Sequence, residues 1–236
     1  DAGKRLTRYQ VNLVPALHYL QLSHDQRIFQ RQTVPQIIAR VLKGHGIQAN
    51  AFTFHVRTSA EREYCTQYGE SDFEFVQRLC AEDGIAWHHR HSREGHVLVF
   101  TDDQAFFLEL GQTPYQQGSG MVAEHPVVSQ FSMGFNARTS KVTRRDYDLN
   151  RPHVLLEGRF TAKFSPESED YRYPLILRSE QGAKQLARQA LERHRADYQL
   201  AEGESDQPFL RSGHLFRLTD HPRATYNDLW LLLSVT

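Results

Sequence analysis

The sequence predicts an α+β fold that is mainly β. Two capping boxes, Thr33–Gln36 and Ser71–Glu74, each precede apolar residues at helical spacing. In most of the remaining chain, apolar residues alternate with polar ones, which is the period of a half-buried strand. A third helical stretch interrupts the strands of the second half. Strands around one helix favour a small barrel with a packed crossover.

The first two helices have clear start and stop signals. Pro35 lies in the first turn of the first helix, and Gly44 is expected to end it. The second helix is expected to end at Gly84. The apolar faces comprise Val34, Ile37, Ile38, Val41 and Leu42 in the first helix and Phe73, Val76, Leu79 and Cys80 in the second.

A β-hairpin is predicted directly after Gly84. Ile85, Trp87, His89 and His91 share one face of its first strand, and 92–95 form the turn into His96–Phe100. Because successive side chains alternate between faces, His91 is expected opposite His96 with His89 nearby.

Further strands and one more helix are predicted near the start of the chain and in its second half. Tyr9, Val11 and Leu13 alternate up to Pro15, so a strand is expected near the start, with its hydrogen-bonding partner further upstream. A helix is expected after Ser179, with Ala183, Leu186, Ala187, Ala190 and Leu191 on its apolar face. The later strands are predicted at Val127–Phe131, Ser140–Asp146, His153–Phe160, His214–Leu218 and Leu229–Val235, the last buried on both faces.

A segment rich in Gly, Gln, Ser and Pro, Gly111–Gly120, marks a domain boundary. We therefore divide the chain into three parts. Residues 1–20 are interpreted as the remnant of a first β-barrel module, 21–110 as an α/β module with two helices and a hairpin, and 111–236 as a second β-barrel-like module with one helix.

The composition argues against several classes of partner. Lys plus Arg and Asp plus Glu each total 28, and the pI is about 7.4, so no long-range field attracts nucleic acid. No apolar run approaches the roughly 18 residues that a membrane span needs. The two cysteines, Cys65 and Cys80, fit neither a zinc nor a redox spacing and are interpreted as buried thiols of a reducing compartment.

The histidine group on the hairpin is the sharpest chemical candidate. If His89, His91 and His96 share a face, three imidazoles could converge on a metal ion. Arg90 and Arg93 would repel a dication, so solvated or interface histidines are the preferred interpretation. No metal or cofactor is expected, and a metal-dependent hydrolase remains an alternative.

Other catalytic signals are weak. The sequence contains no HExxH, Walker, GxGxxG or GxSxG pattern. Glu74 belongs to a helix cap, Arg62 can neutralise its acidic neighbours, and nothing local activates Cys65 as a nucleophile. We expect that the protein is not an enzyme.

The chain contains an ordered run of segments: Arg27-Ile28-Phe29-Gln30, the Thr33–Ile38 helix start, Arg62–Phe73, Phe75–Leu79, Glu82–Ile85 and Gly95–Leu98. This succession resembles the VgrG family of type VI secretion spike proteins. Weaker matches follow at Arg145–Asp148, Tyr171–Pro174 and Gly213–Leu218. Family members often have YDYPG where Tyr171-Arg172-Tyr173-Pro174-Leu175 stands here, so the glycine-dependent turn differs.

The resemblance implies a phage tail hub-like fold of β-barrel modules with a helical insertion. It also implies a homotrimer between the secretion tube and the needle, which is fired into target cells and carries effectors or a tip protein. The chain would then be in the bacterial cytoplasm during assembly and be secreted without a signal peptide. A tail hub of a contractile phage is the second interpretation. The signature residues expected to set the local fold or subunit packing are Arg27, Phe29, Gln30, Glu63, Gln67, Tyr68, Glu70, Asp72, Phe73, Phe75, Arg78, Leu79 and Gly84.

Overall fold

The computed structural model describes residues 7–117, 124–163, 167–175, 177 and 179–236. Their contacts divide them into two units. The first contains the described residues up to Ala51 together with Ser59–Leu79, and the second contains Phe52–Thr58 and the described residues from Cys80 onward.

Three helices and thirteen strands make up the regular structure of the described residues. In chain order they are β1 (Arg27–Gln32), α1 (Val34–Gly44), β2 (Phe52–His55), β3 (Arg62–Gln67), α2 (Asp72–Asp83), β4 (Ala86–His91), β5 (His96–Thr101), β6 (Glu109–Pro114), β7 (Val128–Phe135), β8 (Lys141–Asp146), β9 (Leu156–Thr161), β10 (Glu169–Arg172), α3 (Glu180–Arg195), β11 (Gln199–Ser205), β12 (Leu215–Thr219) and β13 (Leu229–Leu231). Short 3₁₀ helices add Ala16–Leu22, Gln104–Phe106 and Ala224–Tyr226.

The first unit packs helices against a two-stranded antiparallel sheet, β1–β3. Its core contains the apolar face of α1, and the rings of Phe29 and Phe75 stack with their centroids 5.6 Å apart. The Gln36 side chain accepts a hydrogen bond from the Thr33 backbone at 2.9 Å, as the capping box predicts. The buried residues of α1 are Val34, Ile37, Ile38, Val41 and Leu42.

The second unit consists of small sheets. Their strand orders are β2–β5–β4, β13–β12–β6, β10–β8–β9 and β11–β7. Helix α3 begins after Ser179, whose hydroxyl accepts from Gly182 N, and buries Ala183, Ala187 and Leu191. These side chains pack in two clusters with Val142 of β8 and Leu156 of β9.

These elements confirm the mainly β, α+β fold class. The first two helices and the hairpin lie within one residue of their predicted bounds, and His91 pairs with His96. Among the described residues none of the sheets closes into a barrel by itself. Residues 111–114 of the predicted boundary segment belong to β6, and 118–120 lie outside the described residues.

Two strand predictions differ from the structure. Residues 8–15 form no strand, and Tyr9, Val11 and Leu13 are exposed, because no strand among the described residues pairs with this segment. The C-terminal strand is short, and its side chains alternate instead of being buried on both faces. Trp230 packs against a core cluster, whereas Leu231 is 38% exposed.

Both cysteines are buried thiols, as predicted. Burial, and then the charge of Asp83, raise the pKa of the Cys80 thiol to about 12. No described helix has the length and apolar character that a membrane crossing requires.

Candidate functional site: the buried network around Asp72

The signature residues build a buried polar network at the start of α2. Asp72 is 3% exposed and Gln67 is fully buried, so both require hydrogen-bond partners. Gln67 Nε2 donates to Asp72 Oδ1 at 2.7 Å and to the Glu70 carbonyl at 3.2 Å. The capping box positions Asp72, because the Ser71 backbone and hydroxyl both donate to the Glu74 carboxylate at 2.8 Å.

Arg27 brings strand β1 into this network. Its Nη2 donates to Asp72 Oδ1 and, at 2.7 Å, to Gln67 Oε1, and its Nε donates to the same Gln67 oxygen at 3.0 Å. On the solvent side, Arg27 also pairs with Asp25 at 3.2 Å. The guanidinium therefore links β1 to the end of β3 and to the first turn of α2.

His45 completes the network from the residue that follows α1. Its Nε2 lies 2.5 Å from Asp72 Oδ2. Burial acts to raise the pKa of Asp72, but hydrogen bonds from Gln67 and His45 and the charge of Arg27 outweigh it and hold the pKa below its ordinary value. Because all these donors already occupy the carboxylate, Asp72 is suited to hold elements together and not to accept a proton from a substrate.

A second ion pair fastens α2 to strand β3. Arg78 donates to the two oxygens of Glu70, from Nη2 at 2.6 Å and from Nε at 3.1 Å, and to the Thr66 carbonyl at 2.9 Å. The Arg78 guanidinium also lies over the Phe75 ring, 5.3 Å from its centroid. A bidentate pair of this kind fixes orientation as well as charge.

The signature thus separates into groups with different positions. Arg27, Gln67 and Asp72 form the buried network, while Phe29, Phe75 and Leu79 belong to the core. Phe73 is half-buried, and Gly84 ends α2 with a φ of +70°. Gln30, Glu63 and Tyr68 are exposed.

Two of the exposed signature residues, Gln30 and Tyr68, lie near one apolar surface of the two-stranded sheet. Ile28 and Tyr64 are 65% and 60% exposed, and Tyr68, just beyond β3, is 76% exposed. The register pairs Gln30 with Tyr64. We call Ile28, Gln30, Tyr64 and Tyr68 the ribbon face.

His45 was missed from the sequence although the site depends on it. Its only local signal is its position directly after the predicted helix end, where imidazole nitrogens often find polar partners. Its contact with Asp72 spans 27 residues, and single-sequence patterns do not show contacts of that range.

The histidines of the hairpin are neighbours, as the pairing predicts. Ring centroids lie 5.4 Å apart for His89 and His96, 5.9 Å for His91 and His96, and 6.1 Å for His89 and His91. Within the described ranges, no three His, Cys, Asp or Glu side chains are already placed to hold a metal ion. The metal assignment thus stays a hypothesis.

The second unit has a polar network of its own. Arg144, 5% exposed, donates from Nη2 to Asp170 Oδ2 at 2.7 Å, and His194 Nε2 lies 2.9 Å from the same oxygen. Burial opposes ionisation of Asp170, but these two partners hold its pKa well below the ordinary value. The network fastens β10 and α3 to β8.

Comparison with known proteins places this architecture in a family. The model of the phage tail baseplate hub (GPD) family matches residues 1–236. The chain therefore belongs to the phage tail baseplate hub family.

Within that family, the resemblance to VgrG spike proteins is confirmed. The chain is 54% identical over 241 residues to the type VI secretion system spike protein VgrG4b of Pseudomonas aeruginosa, and 52% identical over 242 residues to VgrG5 of the same organism. Each match covers 100% of this chain and 30% of the relative, so the chain spans about a third of these proteins' length.

A solved structure supports the same fold. The E. coli c3393 protein, described as a type VI secretion component with structural similarity to the T4 tail proteins gp27 and gp5, matches with a TM-score of 0.62. The match covers 90% of this chain and 46% of that one at 22% identity, so it supports the fold alone.

Proposed function

We propose that this chain is a structural part of a type VI secretion spike, in the hub between the tube and the needle. It assembles as a homotrimer that is fired into target cells and carries effectors. The two relatives of Pseudomonas aeruginosa described above are named as spike proteins, which is consistent with a structural role.

The observation that carries the proposal is the contrast between the two sides of the β1–β3 sheet. Beneath it, Arg27, Gln67 and Asp72 fix the strands to α2 through charged hydrogen bonds. Above it, Ile28 and Tyr68 leave apolar surface exposed. A rigid scaffold that presents exposed aromatic and aliphatic groups is suited to contact a sister subunit.

Symmetric assembly also accounts for the open sheets. The barrel modules expected for this family need more strands than each sheet of the described chain contains. We propose that the modules close when subunits meet about the symmetry axis. The partners beyond the trimer would be the secretion tube protein, a tip protein and the effectors.

The experiment is a mass measurement of the longer natural protein that contains this segment, by size-exclusion chromatography with light scattering. We expect a trimer for the natural protein and a shift toward monomer for Tyr68→Asp and Ile28→Asp. Leu149→Asp is the matched control, because Leu149 is 84% exposed in a turn of the second unit and does not belong to the ribbon face. A stable natural monomer would refute the trimer, and an unaffected Tyr68→Asp trimer would refute the ribbon face as its contact.

A tail hub of a contractile phage remains a second candidate, because the matching family model is described as a phage tail baseplate hub. The two functions predict different fates for the protein. A secretion spike appears in the culture medium only when the producing bacterium has a working type VI apparatus, whereas a phage hub appears only in tail particles. Immunoblots of medium from matched strains with and without the apparatus distinguish them. By this proposal, the spike is assembled in the bacterial cytoplasm and exported without a signal peptide.

A further inference from the structure

We propose that the hairpin face formed by His89, His91 and His96 binds one divalent ion of a late first-row transition metal, such as Zn²⁺, Ni²⁺ or Cu²⁺. We call these three residues the histidine face. The site would be structural, joining strand β4 to strand β5, and it is independent of the spike function.

Strand geometry brings the three imidazoles to one side. His89 and His91 are two residues apart on β4, so their side chains leave the same face. His91 lies directly opposite His96. His89 is paired with Leu98, which makes His96 its diagonal neighbour, at a separation that aromatic side chains can span.

The observed ring spacings are close to those that a shared ion requires. With a Zn–N distance of about 2.1 Å and a ring centroid about 1.1 Å behind each nitrogen, two imidazoles on one tetrahedral ion have centroids about 5.2 Å apart. The three pairs here lie at 5.4, 5.9 and 6.1 Å. Within the described residues the three rings do not yet form a metal-holding group, so binding requires the exposed side chains of His91 and His96 to rotate.

Of the two arginines that would repel a dication, Arg93 lies in the exposed hairpin turn, and Arg90 does not face this ion. Arg90 alternates to the other side of β4, where His88 lies. Arg90 thus acts on the opposite face.

The chemistry of the three side chains suits a metal ion. All three are imidazoles, whose ring nitrogens have a lone pair to donate when neutral. Neutral imidazole is a preferred ligand of Zn²⁺, Ni²⁺ and Cu²⁺. Water would complete the coordination shell of an ion held by three ring nitrogens.

The hairpin turn holds the two strand ends in register. Ser92 N donates to the Gly95 carbonyl at 2.8 Å, and Glu94 N donates to Ser92 Oγ at 3.3 Å. A short, hydrogen-bonded turn reduces the entropy that three ligands lose on chelation. An ion bound across this turn would stabilise the hairpin by mass action.

The primary test is calorimetric titration of the 236-residue chain with Zn²⁺ at pH 7.5. We expect one saturable site with Kd below about 100 µM. His91→Asn and His96→Asn should each weaken binding at least tenfold, and the double variant should abolish it. His125→Asn is the matched control, because His125 is exposed and lies outside the histidine face.

A fluorescence test locates the bound ion independently of the binding stoichiometry. Trp87 is one of two tryptophans, and its ring centroid lies 5.8 Å from that of His89. In a Trp230→Phe background, Ni²⁺ should quench Trp87 emission, and Zn²⁺ should reverse the quenching by competition. The absence of a saturable site, Zn²⁺ binding that survives in the double variant, or an equal loss in His125→Asn would each overturn the proposal.

Discussion

His45 and Asp72 are joined by a 2.5 Å contact between Nε2 and Oδ2, which links the end of α1 to the start of α2. The other carboxylate oxygen of Asp72 accepts hydrogen bonds from Arg27 and Gln67. One buried side chain therefore connects four segments of the first unit.

Asp72→Asn should destabilise the protein by about 3 kcal/mol, because it leaves Arg27 without its buried counter-charge. Chemical unfolding in urea measures the change. Asp25→Asn is the control, since Asp25 also pairs with Arg27 but its side chain is 50% exposed. That variant should lie within about 0.5 kcal/mol of wild type. Equal losses in the two variants would contradict the role of the buried carboxylate.

Because of the same carboxylate, we expect the folding stability of the protein to be sensitive to acid. The pKa of Asp72 lies below its ordinary value of 3.8, so the unfolded chain binds this proton more readily than the folded protein does. The stability due to Asp72 is therefore complete above about pH 4 and is lost as the pH falls through the folded pKa. Urea midpoints between pH 5 and pH 2.5 should fall more steeply for wild type than for Asp72→Asn. Parallel slopes would argue against the assignment.

Because of His89, we expect a second loss of folding stability at a higher pH than the loss due to Asp72. Burial and neighbouring histidines lower its pKa from 6.5 to about 4, so the unfolded chain takes up this proton first. The folded state should lose stability as the pH falls from about 6.5 toward 4. An NMR titration should show the His89 ring still neutral at pH 5.5. A His89→Asn variant should lose less stability over that interval, and a ring titrating near 6.5 would refute the assignment.

Gly158 in β9 lies directly against the backbone of α3. A β-carbon at this position would come within 2.1 Å of the carbonyl of Ala183, which belongs to the buried face of the helix. Gly158→Ala should therefore cost about 3 kcal/mol, because the helix backbone must move. Gly134→Ala, another strand glycine, meets only the Leu200 carbonyl at 3.9 Å and should change stability by less than about 0.5 kcal/mol. Thermal unfolding of both variants measures the difference.

Local signals predicted the helices and the hairpin well. The capping boxes at Thr33 and Ser71 and the glycines at 44 and 84 act within a few residues, so a single sequence contains the whole signal. The C-terminal strand was mispredicted because a continuous apolar run does not reveal which side chains a core covers.

The candidate site was only partly predictable. Arg27 and Asp72 stood out through resemblance to a family, but their pairing spans 45 residues, and propensity does not encode contacts of that range. The three histidines were predicted to meet because a strand alternates and a four-residue turn fixes the register.

The burial of both thiols has a practical consequence for labelling the protein at a chosen position. With its pKa near 12, Cys80 remains un-ionised at neutral pH and should resist maleimide and iodoacetamide, and Cys65 is only 5% exposed. A third cysteine introduced on the surface would then react alone. A dye or cross-linker attached to that third cysteine could report the position of this segment. Neither native cysteine would have to be replaced.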